Sequence, residues 1–233
     1  MSNTPAEVAE RVARVREVIA ETATRRGRRV SDITLIAVTK YASPEEGFVE
    51  ALTAAGCFDL AENRPQKLKE KIDAVGSEGI RWHLIGTLQK NKVKTVIGRA
   101  ALIHSVDSTA LAREIARLAP PSGADILLQV KISGEENKHG LAPEETLDRA
   151  GEILAIGPSL RIRGLMGMAG LDASEGDIHR QFALLRSLRD RCRAAFGSAF
   201  GAELSMGMSG DYPIAIEEGA TMLRIGSAFY DFS

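Results

Sequence analysis

A lysine closes the first apolar run of the chain, which reads TLIAVTK over residues 34–40. Lys40 therefore stands where a strand should end, at a place where its long side chain can be desolvated. Burial lowers the pKa of a lysine and makes the neutral amine available as a nucleophile toward aldehydes. A strand-end lysine can equally lie along the surface with its ammonium in water. Lys40 alone leaves both interpretations open.

Glycine and serine residues late in the chain are suited to holding a phosphate. MGMSGD precedes the helix-like segment YPIAIEEG, so Met208 and Ser209 should lie where a helix begins and its N–H groups are free. The later motif RIGS supplies the backbone of Gly226 and the hydroxyl of Ser227. The alternative is that Ser209 or Asp211 is an ordinary helix cap.

An arginine lies two residues before the glycine of that RIGS motif. Arg224 and Gly226 should point to the same side of a strand, which is inward in a barrel. A buried guanidinium needs a partner, and the ring nitrogen of pyridoxal 5′-phosphate (PLP) would serve. Because arginine keeps its proton, the pyridine would stay unprotonated and be a weaker electron sink. A salt bridge from Arg224 to a carboxylate such as Glu62 is the alternative.

Three more segments end in polar clusters, namely AENR, WHLIGTLQKNK and HSVD. Asn63 and Arg64 could reach a ligand at the same rim, and His83 could do so from the next segment. A basic tip follows, made of Lys90, Asn91 and Lys92. Equally, His83 could be a core histidine and the two lysines part of a solvated loop.

Elements that would position these residues follow a regular order along the chain. Eight short apolar runs alternate with segments of helical periodicity, which predicts a parallel sheet. The runs cover residues 34–40, 58–63, 81–86, 101–107, 124–132, 160–168, 202–207 and 221–230. The even repeat and the length of 233 residues favour the α/β class and a single (β/α)₈ barrel over residues 1–233. An open doubly wound sheet is the alternative.

A helix is predicted before the first strand, with apolar residues at Val8, Val12, Val15 and Ile19. The sequence ends three residues after the eighth run, so this N-terminal helix should cover the position that follows the last strand. In such barrels the active site lies at the carboxyl ends of the strands. The polar clusters above all fall at those ends.

Composition excludes several classes of function. The formal net charge is -1, which gives no general affinity for nucleic acid or anionic membranes. The N-terminus is charged and lacks the apolar stretch of a signal peptide, so we expect a cytoplasmic protein. Cys57 and Cys192 form neither a CxxC pair nor a metal cluster, so we interpret them as ordinary thiols and predict no metal site.

Taken in order, the motifs resemble one known family over nearly the whole chain. With its first-strand lysine, AENR, WHLIGTLQKNK, SMGMSGD and RIGSAFY, the sequence is similar to the pyridoxal phosphate homeostasis protein family, whose fold is similar to the N-terminal barrel of alanine racemase. The segments QVKISGEENKHG and RGLMGM also look like that family's fifth and sixth strands. Three residues depart from the family pattern, namely Tyr41, Ala61 and Gly210.

The resemblance implies a PLP site. Lys40 would carry PLP as a Schiff base, Arg224 would face the pyridine nitrogen, and Asn63 would lie beside the cofactor. The phosphate would be held after the seventh and eighth strands. The predicted cofactor-binding set is Lys40, Asn63, His83, Met208, Ser209, Arg224, Gly226 and Ser227.

The resemblance also implies that the protein buffers PLP and delivers it to apo-enzymes, and the expected lack of the domain that completes a dimeric racemase site favours a monomer. Racemases with this barrel take a second base, a tyrosine, from another domain of the partner subunit, and we expect no such domain here. The alternatives are a weak PLP-dependent racemase or decarboxylase, with Lys40 and either His83 or Tyr41 as bases, and a phosphosugar-binding barrel without PLP.

Overall fold

The computed structural model describes residues 4–43, 46–134 and 139–230. Eight parallel strands form a closed barrel in chain order, and the eighth strand pairs with the first. The strands are β1 (Thr34–Val38), β2 (Asp59–Glu62), β3 (Arg81–Leu84), β4 (Leu102–Val106), β5 (Ala124–Gln129), β6 (Leu160–Met166), β7 (Phe200–Ser205) and β8 (Met222–Ile225). Seven predicted runs each contain one strand and the run 202–207 overlaps β7, which begins two residues earlier at Phe200, so the predicted (β/α)₈ barrel is confirmed and the open sheet is wrong.

One helix precedes β1, and the others connect successive strands around the outside of the barrel. They are α1 (Pro5–Arg25), α2 (Phe48–Ala54), α3 (Pro65–Val75), α4 (Val93–Val96), α5 (Thr109–Leu118), α6 (Thr146–Leu154), α7 (Glu175–Phe196) and α8 (Tyr212–Glu217). Short 3₁₀ turns at Lys90–Lys92 and Ser227–Phe229 follow β3 and β8. The helices leave the carboxyl ends of the strands and the loops that follow them as one rim.

Alternation along the strands produces two hydrophobic layers. One cluster fills the barrel and consists of Ile36, Val38, Ala61, Leu102, Leu127, Met166 and Met222. The other lies between the sheet and the helices and includes Ala37, Leu60 and Leu223. Residues of opposite parity on a strand therefore face opposite layers, which makes the interior a packed core with room for a few inward polar groups.

The N-terminal helix takes the predicted position between the last and first βα units. The Thr4 side chain and Glu7 form a capping box at its start. Its buried face consists of Val8, Val12, Val15 and Ile19, and α1 contacts α2, α8 and the turn after β8. Arg28, just beyond α1, donates to the carbonyls of Ile216 and Ala220 at 2.7 Å each. The expectation that this helix covers the gap after the last strand is confirmed.

Both cysteines are free and buried. Burial raises the pKa of the Cys57 thiol, and it raises that of Cys192 to about 11. Both side chains are therefore protonated at neutral pH, as expected of ordinary thiols. Within the three described ranges, no helix is long and apolar enough to cross a membrane.

Candidate functional site at the carboxyl-terminal rim

Lys40 lies at the rim beside the seam between β1 and β8. It follows Val38, the last residue of β1, by two positions, and Val38 faces the barrel interior. The Lys40 side chain is exposed, with Nζ 4.7 Å from the centre of the Tyr41 ring. The expected desolvation of this ammonium is wrong for the protein alone, because the strand ends below Lys40 and the rim is open to solvent. Its predicted rim position is confirmed.

A buried ion pair fixes the backbone next to Lys40. Lys71 of α3 contacts both the Glu62 carboxylate and the carbonyl of Thr39, and the side chains of Lys71 and Glu62 are each 1% exposed. The Thr39 hydroxyl donates to Glu62 Oε1 at 2.9 Å, and the Asn63 amide donates to Oε2 at 3.2 Å. This arrangement locks together the ends of β1 and β2. Because Glu62 pairs with Lys71, the alternative of a salt bridge between Arg224 and Glu62 is wrong.

Arg224 lies inside the barrel, as predicted. It is 3% exposed, and its Nη1 donates to the Ser205 hydroxyl at 2.7 Å while Nη2 donates to the Gly167 carbonyl at 3.1 Å. Burial lowers the pKa of Arg224 to about 10, although the charge of Asp211 acts in the opposite direction. The guanidinium therefore stays protonated at neutral pH.

The two predicted phosphate segments meet at the rim above Arg224. The Ser209 hydroxyl lies 3.3 Å from the amide nitrogen of Gly226 and 3.2 Å from that of Ala228, and accepts from both. It does not cap α8, whose N-cap residue is Asp211, and the Asp211 side chain accepts from the Met208 amide instead. The helix-cap interpretation of Ser209 is therefore wrong. Because α8 has only six residues, the anion-binding potential comes from the converging amides and the hydroxyl.

Gly226 leaves little space beside β1. A Cβ atom on it would lie 3.3 Å from Val38 Cβ, which is tighter than ordinary van der Waals contact. Ser227 next to it is exposed, and it lies on the same rim as Lys40 across the β1–β8 seam. An amine, a set of anion-binding donors and a fixed cation thus surround one mouth, and this donor set fits a phosphorylated pyridine aldehyde.

His83 lies in the barrel interior and not at the rim. It is 3% exposed, and both of its ring nitrogens have partners: Nδ1 lies 2.9 Å from His104 Nε2, and Nε2 lies 2.9 Å from Asp59 Oδ1. Asp59 begins β2, at the opposite end of the barrel from the rim. The structure therefore favours the core interpretation of His83 over direct cofactor contact, and leaves it no free nitrogen to act as a second base.

His104 continues this buried chain toward Arg224. Its Nδ1 lies 2.9 Å from the Ser205 hydroxyl, and the residue is fully buried. Burial is the main reason that the pKa of His104 falls well below its ordinary value, and the charge of the neighbouring Arg224 adds to this effect. His104 is therefore neutral in the folded protein.

Acid should destabilise the fold through His104. Above about pH 6.5 the imidazole is neutral in the folded and unfolded chain alike. Below that value the unfolded chain binds a proton that the folded barrel excludes, so the free energy of unfolding should fall by up to about 1.4 kcal/mol per pH unit. Urea unfolding of wild type and His104→Gln between pH 7 and 5 would measure this slope. Equal slopes would contradict the prediction.

The structure brings together most of the predicted cofactor residues. Lys40, Met208, Ser209, Gly226 and Ser227 lie on the rim around the ends of β1, β7 and β8, with Arg224 below them. Asn63 is partly buried at the end of the neighbouring β2. The basic tip at Lys90–Lys92 forms a turn after β3. Among the described residues, no group of three or more His, Cys, Asp or Glu could hold a metal ion.

Sequence reasoning missed three residues that support the site, namely Thr39, Lys71 and Ser205. Lys71 follows Leu68 by three positions on the buried face of α3, and a lysine on an apolar helix face is a signal for a buried ion pair. Ser205 shares strand parity with Gly207 in the SMG motif, which could have indicated its inward position.

Known proteins resemble this chain in sequence and in structure. Residues 16–233 match the family described as alanine racemase, N-terminal domain. A pyridoxal phosphate homeostasis protein of Aquifex aeolicus is 36% identical over 223 residues, which are 95% of this chain and 96% of that protein. A crystal structure of an unknown protein from Bifidobacterium adolescentis has a TM-score of 0.91 and 34% identity, with coverage of 99% and 97%. PipY of Synechococcus elongatus, with PLP bound, has a TM-score of 0.79 and 31% identity, with coverage of 91% and 100%.

Proposed function

The chain belongs to the pyridoxal phosphate homeostasis protein family, and from this premise we propose that it binds PLP at the rim of the barrel and serves intracellular PLP homeostasis. The observation that carries the proposal is the meeting of the Ser209 hydroxyl with the amides of Gly226 and Ala228, above the buried cation Arg224. A phosphate group and a pyridine ring can be held there together. PipY, a relative of known structure, has PLP bound.

Each residue of the proposed site has a distinct task. Lys40 Nζ would hold the cofactor aldehyde as a Schiff base, with the loss of one water. Ser209, Gly226 and Ser227, with the neighbouring Met208, hold the phosphate. The remaining N–H donors of Arg224 would hold the pyridine nitrogen in its unprotonated form. Asn63 would lie beside the ring, and Lys71 with Glu62 keeps Asn63 and Thr39 in place.

Bound PLP supplies an aldehyde for reversible capture and an electron-withdrawing ring. The chain's own residues favour capture over turnover, because Arg224 weakens the ring as an electron sink. Both nitrogens of His83 are engaged inside the barrel. Tyr41, half exposed and close to Lys40, is the observation that favours a weak racemase or decarboxylase as the second candidate. Turnover of amino acids that depends on Tyr41 would support it.

Loading with PLP and reduction with borohydride tests the proposal. Wild type is expected to show an imine absorption band that reduction removes, with one pyridoxyl phosphate fixed per chain, and mass spectrometry of peptides should locate it on Lys40. Lys40→Ala should lose both signals, because the proposed imine forms on the Lys40 side-chain amine. Lys94→Ala, at an exposed lysine of α4, is the matched control. A wild type that takes up no PLP would overturn the proposal.

Delivery of the cofactor is the cellular part of the proposal. We propose a cytoplasmic monomer that meets apo PLP-dependent enzymes transiently and binds neither nucleic acid nor membranes. In the same preparation, reactivation of an apo-enzyme by the PLP-loaded protein would be compared with reactivation by free PLP at equal concentration. Unchanged reactivation in the presence of excess PLP scavenger would support transfer, and its loss would contradict delivery.

A further inference from the structure

A chain of polar side chains crosses the barrel interior from its amino-terminal end to Arg224. It runs from Asp59 through His83, His104 and Ser205 to the guanidinium, with contacts of 2.9, 2.9, 2.9 and 2.7 Å. The four members beyond Asp59 are each no more than 3% exposed. Buried polar groups of this kind are costly unless every donor meets an acceptor. The positions of the hydrogens along these side chains can therefore be assigned by requiring an acceptor for each donor.

The two ends of the chain have unambiguous roles. Arg224 can only donate, so the Ser205 hydroxyl accepts from it. At the other end, Oδ1 of Asp59 accepts from Nε of Arg81 at 2.8 Å and lies 2.7 Å from Nη2 of the same guanidinium, which can only donate. Asp59 is therefore ionised and can only accept. His83 must carry a hydrogen on Nε2.

The hydrogens between these ends then have one consistent arrangement with neutral imidazoles. The Ser205 hydroxyl accepts from Arg224, so it gives its own hydrogen to Nδ1 of His104. His104 then carries its hydrogen on Nε2 and donates to Nδ1 of His83. If His83 were doubly protonated, this direction would reverse. The hydroxyl hydrogen of Ser205 would then have no acceptor among the contacts of the described residues.

We propose that Ser205, His104 and His83 are positioning residues that hold the Arg224 guanidinium toward the cofactor ring through a one-directional chain of hydrogen bonds ending on Asp59. Every step donates away from Arg224, so the carboxylate at the far end of the barrel fixes the orientation of all the groups between. The role toward the cofactor rests on the proposed function. The direction of the chain does not, because it is a property of the protein without ligand.

Nitrogen NMR of the ligand-free protein reads the direction. The sequence has four histidines, so labelling histidine with ¹⁵N gives few signals, and His83→Gln and His104→Gln assign them. Both buried imidazoles are expected to be neutral with the hydrogen on Nε2. Labelled arginine should show separate, slowly exchanging Nη signals for Arg224, and Ser205→Ala should merge them while Ser205→Thr restores them. A cationic His83, or an Nδ1-protonated His104, would overturn the inference.

A remote variant tests whether the chain positions Arg224. Asp59 pairs with Arg81 across the amino ends of β2 and β3, and Asp125 pairs with Arg161 in the same way across β5 and β6. Asp59→Asn should merge the Arg224 Nη signals and shift the absorption of bound PLP, and it should weaken PLP binding about tenfold, as expected from loss of one charge-assisted hydrogen bond. Asp125→Asn should do neither.

Each outcome has a separate meaning. Arg224 signals that stay resolved in Asp59→Asn would overturn the positioning role, whatever happens to PLP. Failure of wild type to bind PLP, with the expected imidazole and Arg224 signals present, would overturn the proposed function and would still support the chain of hydrogen bonds. A shift with Asp125→Asn equal to that of Asp59→Asn would show a general loss of rim stability and count against the inference.

Discussion

Replacing Lys71 with methionine is expected to lower the free energy of unfolding by about 3–5 kcal/mol, the usual cost of leaving one partner of a buried ion pair alone. Lys71 and Glu62 are almost completely buried, and Lys71 also holds the Thr39 carbonyl. Its loss leaves a buried carboxylate whose hydrogen-bond donors, among the described residues, are the Thr39 hydroxyl and the Asn63 amide. Urea unfolding monitored by circular dichroism would measure the change.

Two further variants identify the cause. Lys69→Met removes an exposed helix pair with Asp73 and should cost no more than about 0.5 kcal/mol. The double variant Lys71→Met with Glu62→Met should recover much of the loss, because it replaces the pair with apolar side chains of similar size. A loss for Lys71→Met no greater than for Lys69→Met would show that the buried pair does not hold the rim.

Replacing Gly86 with alanine is expected to destabilise the protein by about 3 kcal/mol, near the upper end for overpacking. An added Cβ would lie 1.9 Å from the backbone carbonyl oxygen of Asn63 and 2.7 Å from its carbonyl carbon, and backbone cannot move aside as a flexible side chain can. On the other side, the Gly86 carbonyl accepts from the Ser105 hydroxyl at 2.7 Å. The ends of β2 and β3 must therefore separate, which displaces Asn63.

Thermal unfolding and PLP titration of Gly86→Ala would test this. Gly210→Ala is the control, since a Cβ there would meet nothing within 4 Å, and its effect should be neutral or slightly stabilising. We expect Gly86→Ala to weaken PLP binding as well as stability. Equal melting temperatures for the two variants would mean that the rim can open at Gly86 without cost.

Sequence patterns were sufficient for features that depend on local periodicity. Apolar runs located all eight strands, and the spacing of Val8, Val12, Val15 and Ile19 located the helix that covers the barrel seam. Strand parity also placed Arg224 inside the barrel, because alternation along a single strand decides which layer a side chain faces.

Which side chains contact each other inside the barrel could not be predicted from periodicity. Which inward side chains share a layer depends on the stagger between strands, and the pairing shifts register between β4 and β5, β5 and β6, and β6 and β7. His83 therefore meets His104 and Asp59, and Arg224 meets Ser205 instead of Glu62. The open rim around Lys40 likewise depends on where β1 ends, and sequence patterns locate the end of a strand only to within about two residues.

The pairing of β8 with β1 has a consequence for how the protein acquires its site. Thr34 pairs with Met222 and Ala37 with Ile225, so the closing contacts join residues far apart in the chain, and such contacts carry a large entropic cost of loop closure. The rim lysine stands on one side of that junction, with Gly226 and Ser227 on the other. In a nascent or partly opened chain these two groups of residues are apart, so the complete site does not exist. A ligand that contacts both sides of the β1–β8 junction would therefore stabilise the closed barrel.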